Sequence, residues 1–111
     1  MKNNEMLSSG KPISLRDHIQ YSAQAVVSKT LINKKSGSIT LFAFDKDQEL
    51  SEHTAPFDAI VQVLEGEAEL IVGGNSVIVS AGQLTIMPAN VPHAVKARKE
   101  FKMLLTMMTI P

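Results

Sequence analysis

The chain has 111 residues, 44% of them hydrophobic and 20% charged, and eleven basic and eleven acidic side chains cancel to a formal net charge of +0. This length holds one domain around one core, and the lack of cysteine excludes disulfides, thiolate-held zinc and cysteine nucleophiles. Any metal must therefore rest on imidazole, carboxylate or water, and four Phe with one Tyr and no Trp offer little for stacking single-stranded nucleic acid.

Residues 1–11 are polar and include Ser8-Ser9-Gly10, so a loose leader is expected there. No apolar stretch of signal-peptide type follows it, and the longest uninterrupted apolar run, Leu41 to Phe44, is far too short to cross a bilayer. A cytoplasmic protein without a membrane partner is the expectation. Residues 12–15 read as a short edge strand, followed by one helical turn through Arg16, Asp17 and His18. From Ala25 onward the pattern changes. Short β-branched or aliphatic runs occupy 25–32, 38–44, 59–64, 67–72, 76–79, 84–87, 93–98 and 101–109. Turn-forming clusters separate them, among them Gly73-Gly74-Asn75 and Pro88-Ala89-Asn90. About eight strands at this spacing predict a single all-β barrel or sandwich. Gly73-Gly74 is the tip of a hairpin.

Alternation along each run assigns its two faces. Lys96 and Arg98 must reach water, so His93, Val95 and Ala97 point into the barrel; Glu67 and Glu69 likewise send Ala68, Leu70 and Val72 inward. With Lys102 in water, Phe101, Met103, Leu105 and Met107 face in, while Leu104 and Met108 lie on the other face. Run 38–44 is apolar on both faces, Phe42 and Phe44 on one and Ile39, Leu41 and Ala43 on the other. A strand apolar on both sides needs two coverings. A homodimer buried through Ile39, Leu41, Leu104 or Met108 is the expected second one. The six methionines read as soft core filler.

Charge is unevenly spread. From Asp45 to Glu69 eight acids face Lys46 alone, and from Lys96 to Lys102 four bases face Glu100. These are solvated sheet faces, without the coherent basic stripe that a nucleic-acid partner requires.

Three histidines remain as candidate chemistry, His18, His53 and His93. Their surroundings resemble the cupins over 47–97. The first cupin motif runs Gly-x5-His-x-His-x3–4-Glu-x6-Gly, and this chain has Asp47-x5-His53-x-Ala55-x3-Ala59-x6-Gly66. The second runs Gly-x5-Pro-x-Gly-x2-His-x3-Asn, against Gly82-x5-Pro88-x-Asn90-x2-His93-x3-Ala97. Fifteen residues, Glu67 to Ala81, separate the motifs, as in small bacterial cupins. The resemblance implies a jelly-roll barrel (a double-stranded β-helix) spanning 1–111 as one domain. Asp47 and Asn90 replace glycines but belong to types that tolerate left-handed backbone.

Ala55 and Ala59 replace two of the four ligands that the resemblance implies, leaving His53 and His93 as a degenerate metal site. Zinc, nickel, manganese or iron would be weakly held there. Gln62 and Asp58 are expected to face away from the interior unless a bulge re-aims Asp58, and His18 reaches in only if the N-terminal segment folds over a barrel mouth. The resemblance thus implies a mostly apolar pocket bearing His53 and His93, with Ala59, Val61, Phe101 and Met103 on its wall. Three functions follow as alternatives: a binder of a small organic ligand, a metal-dependent dioxygenase, isomerase or lyase, and a structural or regulatory module.

Overall fold

All eight apolar runs become strands in a computed structural model that describes residues 10–109, and a ninth strand joins them. In chain order they are β1 (Val26–Lys34), β2 (Gly37–Phe44), β3 (Glu49–His53), β4 (Asp58–Glu65), β5 (Glu67–Val72), β6 (Asn75–Ser80), β7 (Leu84–Met87), β8 (His93–Lys96) and β9 (Phe101–Met108). A five-stranded sheet runs β1-β2-β9-β4-β7 and a four-stranded sheet runs β3-β8-β5-β6, every pairing antiparallel. The two inner faces enclose the core, giving the jelly-roll sandwich that the resemblance implies.

The alternation holds where it is strict. Phe44, Ala59, Val61, Val63, Phe101 and Met103 from one sheet meet Ala68, Leu70, Val79, Val95 and Ala97 from the other. Phe44 stacks on Phe101, with centroids 4.6 Å apart and planes 11° from parallel. Gly73 and Gly74, at φ 58 and 85, close a two-residue hairpin between β5 and β6. Both angles are positive, as the turn that matches strand twist requires. Asp47 (φ 69) and Asn90 (φ 63) do adopt the left-handed backbone expected of them.

Strand β3 escapes the alternation because Glu49-Leu50-Ser51-Glu52-His53 has one apolar residue and a bulge. Leu50 pairs with Val95 and His53 with His93, so three steps along β3 match two along β8. The extra residue restores phase, and Leu50 and His53 share a face although an odd number of positions separates them.

Two expectations about the outer face of the five-stranded sheet are corrected. Residues 12–15 form no strand. The chain instead lies across the sheet, with one 3-10 turn at Leu15–His18, and Ile13, Leu15, Ile19 and Tyr21 pack on Leu31, Leu41 and Ala43. Leu41 is thus buried by its own chain, and the second covering of β2 is partly internal. Lys102 is the other correction. It is 6% exposed rather than in water, because this segment covers it. Its ammonium donates to the Arg16 carbonyl at 2.6 Å and lies 5.1 Å from the centre of the Tyr21 ring. Tyr21 in turn donates its hydroxyl to Glu65 at 2.6 Å. Burial first, then that carboxylate, push the phenol well above its usual range. A lysine stem laid along apolar surface with its head on a carbonyl is satisfied without water. Of the leader expected over 1–11, residues 1–9 lie outside the described residues.

Candidate functional site

The turn between β7 and β8 positions His93. Its backbone is bonded at three separate places: Asn90 N–H donates to the Ala55 carbonyl at 2.7 Å, Ala89 N–H to Asp58 Oδ1 at 2.9 Å, and Gly73 N–H to the Pro92 carbonyl at 2.8 Å. Left-handed Asn90 lets the chain fold back between those anchors. His93 then enters β8 beside Val72 of β5 and opposite His53 of β3, with 3% of its surface exposed, whereas His53 is exposed at the sheet edge.

The rings meet edge to face, centroids 4.4 Å apart and planes at 71°. Both are oriented in the same way. His53 Nδ1 lies 2.7 Å from the Ser51 carbonyl and His93 Nδ1 lies 3.1 Å from the Val91 carbonyl. A carbonyl only accepts, so each Nδ1 carries the hydrogen and donates it. In the neutral ring Nε2 is then left with its lone pair. Burial holds the His93 imidazole below the ordinary histidine range; its bond to Val91 opposes the shift and neighbouring His53 reinforces it. His93 is therefore neutral at pH 7, with Nε2 an acceptor.

Of the residues expected to line a pocket with the histidines, Ala59, Val61, Phe101 and Met103 belong instead to the packed core. Val61, Phe101 and Met103 have no accessible surface, and Ala59 retains 2%. A fully packed side chain offers a ligand nothing to touch. The residues partly buried against this core are Val26, Phe42, Leu105 and Met107 of the five-stranded sheet and Leu50 and Val72 of the four-stranded one. Phase marks four of them as inward: Phe42, Val72, Leu105 and Met107. What the sequence conceals is which inward positions stay partly accessible.

The donor set does not fit a resident metal. A stable zinc or iron centre takes at least three protein ligands, and no group of three His, Asp or Glu side chains occurs among the described residues. Ala55 and Ala59 bear methyl groups, Asp58 is occupied with the backbone of Ala89, and His18 lies in the turn over the outer face of the five-stranded sheet.

Antiparallel sheets wrapped about a core, with one histidine from each motif meeting across neighbouring strands, define a cupin-type barrel. The family model for the cupin domain matches residues 40–109, and the chain belongs to that family. It is similar to a conserved protein of unknown function from Streptococcus pyogenes, with 33% identity, TM-score 0.89, and 95% of this chain and 92% of that one covered. A cupin 2 conserved barrel domain protein from Leptotrichia buccalis is 39% identical with TM-score 0.85 over 87% of this chain. The match spans only 47% of that longer chain. A cupin superfamily protein from Desulfitobacterium hafniense is 25% identical, with TM-score 0.87 and coverage of 94% and 95%. No protein of curated function matches the chain.

Proposed function

We propose that this cupin binds a small, largely apolar organic molecule beside the paired histidines, and that His53 and His93 read one polar group on it. The observation that carries this reading is the matched orientation of the rings. Each Nδ1 is tied to its own strand, which in the neutral rings leaves each Nε2 to accept, with the partly buried Val72 paired with His93 and Leu50 on the His53 face of β3. Apolar walls with few convergent polar groups are the common composition of ligand sites. Because neutral Nε2 accepts, the fitting ligand donates: a hydroxyl, an amide or an amine N–H, rather than a carboxylate. A divalent cation on two imidazoles and water would exchange readily, so the reading does not depend on one.

The test is a ligand-observed NMR screen with matched pairs, such as phenols against their methyl ethers, alongside the imidazole nitrogen signals of His53 and His93. Hydroxylated members should bind and shift the Nε2 resonances, and the ethers should bind more weakly. A screen in which the pairs bind alike, or in which neither imidazole responds, overturns the reading.

A further inference from the structure

The outer face of the four-stranded sheet, across β5 from the core, holds a cleft of about 560 Å³, within the size range of small-molecule sites. The strand register sets Lys96 of β8, Glu69 of β5 and Ile78 of β6 in one row across it. Gly66 makes its far wall possible. At φ 77 this residue turns β4 into β5, and a Cβ there would lie 2.6 Å from the Glu100 carbonyl oxygen. Only glycine lets the connection 97–100 close on that corner. Arg98, Lys99 and Glu100 thereby line the cleft across β5 from Ile78.

Glu69, with 13% of its side chain exposed, is already engaged. It accepts from the Ser76 hydroxyl at 2.7 Å and from Arg98 Nε at 3.0 Å. Because Arg98 is held through Nε, its Nη groups remain to donate, and they have no partner among the described residues. Glu67, Lys99 and Glu100 are exposed and form no ion pair among the described residues. The cleft thus offers two cations, Arg98 and Lys99, two uncommitted carboxylates, Glu67 and Glu100, and an apolar wall at Ile78, which is 44% exposed.

We infer that this cleft binds a free α-amino acid with an aliphatic side chain. The ligand carboxylate takes the Arg98 Nη donors and Lys99, its ammonium faces Glu67 and Glu100, and its side chain covers Ile78. The charges decide against simpler ligands. A plain carboxylate meets three acids against two bases, and a plain amine leaves the guanidinium unused. The site lies across the sheet from the inward-facing His93 and does not rest on the role given to the histidines. Exposed charge pairs each contribute little, so a dissociation constant of about 1 mM is the expectation.

The test is a heteronuclear NMR titration of the full chain with leucine to about 20 mM, well above such a constant. Amides at 66–69, 78 and 98–100 should shift and saturate. N-acetylleucine and leucine amide each lack one charge and should bind roughly two- to fivefold more weakly. Arg98→Gln should weaken leucine by a similar factor and leave leucine amide unchanged. Glu67→Gln should weaken leucine and leave N-acetylleucine unchanged. The capped ligands read the same contacts on the parent chain should a variant fail to fold. No saturable shift at these amides, or equal binding of leucine and either capped form, overturns the inference. Leucine that shifts only the His53 and His93 imidazoles also overturns it, while leaving the histidine reading in place.

Discussion

Replacing Ala55 with His and Ala59 with Glu tests whether the two alanines stand at lost ligand positions. Ala59 sits on the inner face between Met87 and Met107 with 2% of its surface exposed, so a glutamate there enters the core. Burial raises such a carboxyl by roughly two to three pKa units, which costs about 3–4 kcal/mol at neutral pH. Crowding against the methionines adds roughly 1–3 kcal/mol. A domain of this size loses about 4 °C of melting temperature per kcal/mol, so the double variant in chelator should melt about 16–28 °C below the parent. Metal recovers part of that loss, because a dication compensates the carboxylate and two added ligands displace labile water. Nickel, zinc or manganese at about a hundred times the dissociation constant contributes about 2.7 kcal/mol, or roughly 11 °C. The assay is a thermal melt followed by circular dichroism, with chelator and with each metal, on the parent, the double variant and Ala59→Glu alone. If no metal raises the double variant's midpoint beyond the shift in the parent, the inferred ligand geometry is wrong.

Three further outcomes follow from the packing. His93 has a folded-state pKa below the 6.5 of an ordinary histidine, so between those values the unfolded chain binds more protons than the native one. Its contribution is complete above about pH 6.5 and is lost as pH falls through the folded value. Urea midpoints at pH 7.5 and 5 (approximate settings either side of that value) should therefore fall less in His93→Gln than in the parent. Lys102→Met keeps the stem but deletes the charged bond to Arg16, and should cost about 1.5–3 kcal/mol, with faster proteolysis within 10–21; cleavage confined elsewhere would refute the strap assignment. Asn90→Ala puts a methyl on left-handed backbone and should cost about 1–2 kcal/mol, whereas Asn90→Gly should be close to neutral in the same denaturant titration.

The barrel was legible because β5 and β8 each place a wetted charge opposite an apolar residue, and because spacing within the second motif fixes the turn before His93. The same reasoning failed at Lys102. Alternation put it on the outer face correctly, but no local pattern announces that a segment more than eighty residues earlier lies over that face. Strand β3 failed for a different reason: a bulge shifts the period by one, and its five residues carry too little apolar signal to show the shift. The His53–His93 pair came through the resemblance, not through alternation. Ala59, Val61, Phe101 and Met103 were rightly placed inward, yet how completely an inward position is packed is a property of three dimensions that phase does not encode.

The strap over the five-stranded sheet is gripped through its main chain. Lys102 donates to the carbonyl of Arg16 and Lys29 to that of His18, at 2.6 and 3.3 Å. Every residue supplies a carbonyl, so the side chains at 16 and 18 are released from the task of attachment, and Arg16 is itself exposed. Substitutions at these two positions should be nearly silent, while Ile19, whose side chain fills the gap beneath, should accept few replacements. The barrel thereby divides its cover into positions free to drift and positions that are not, a division set by which atoms the lysines hold.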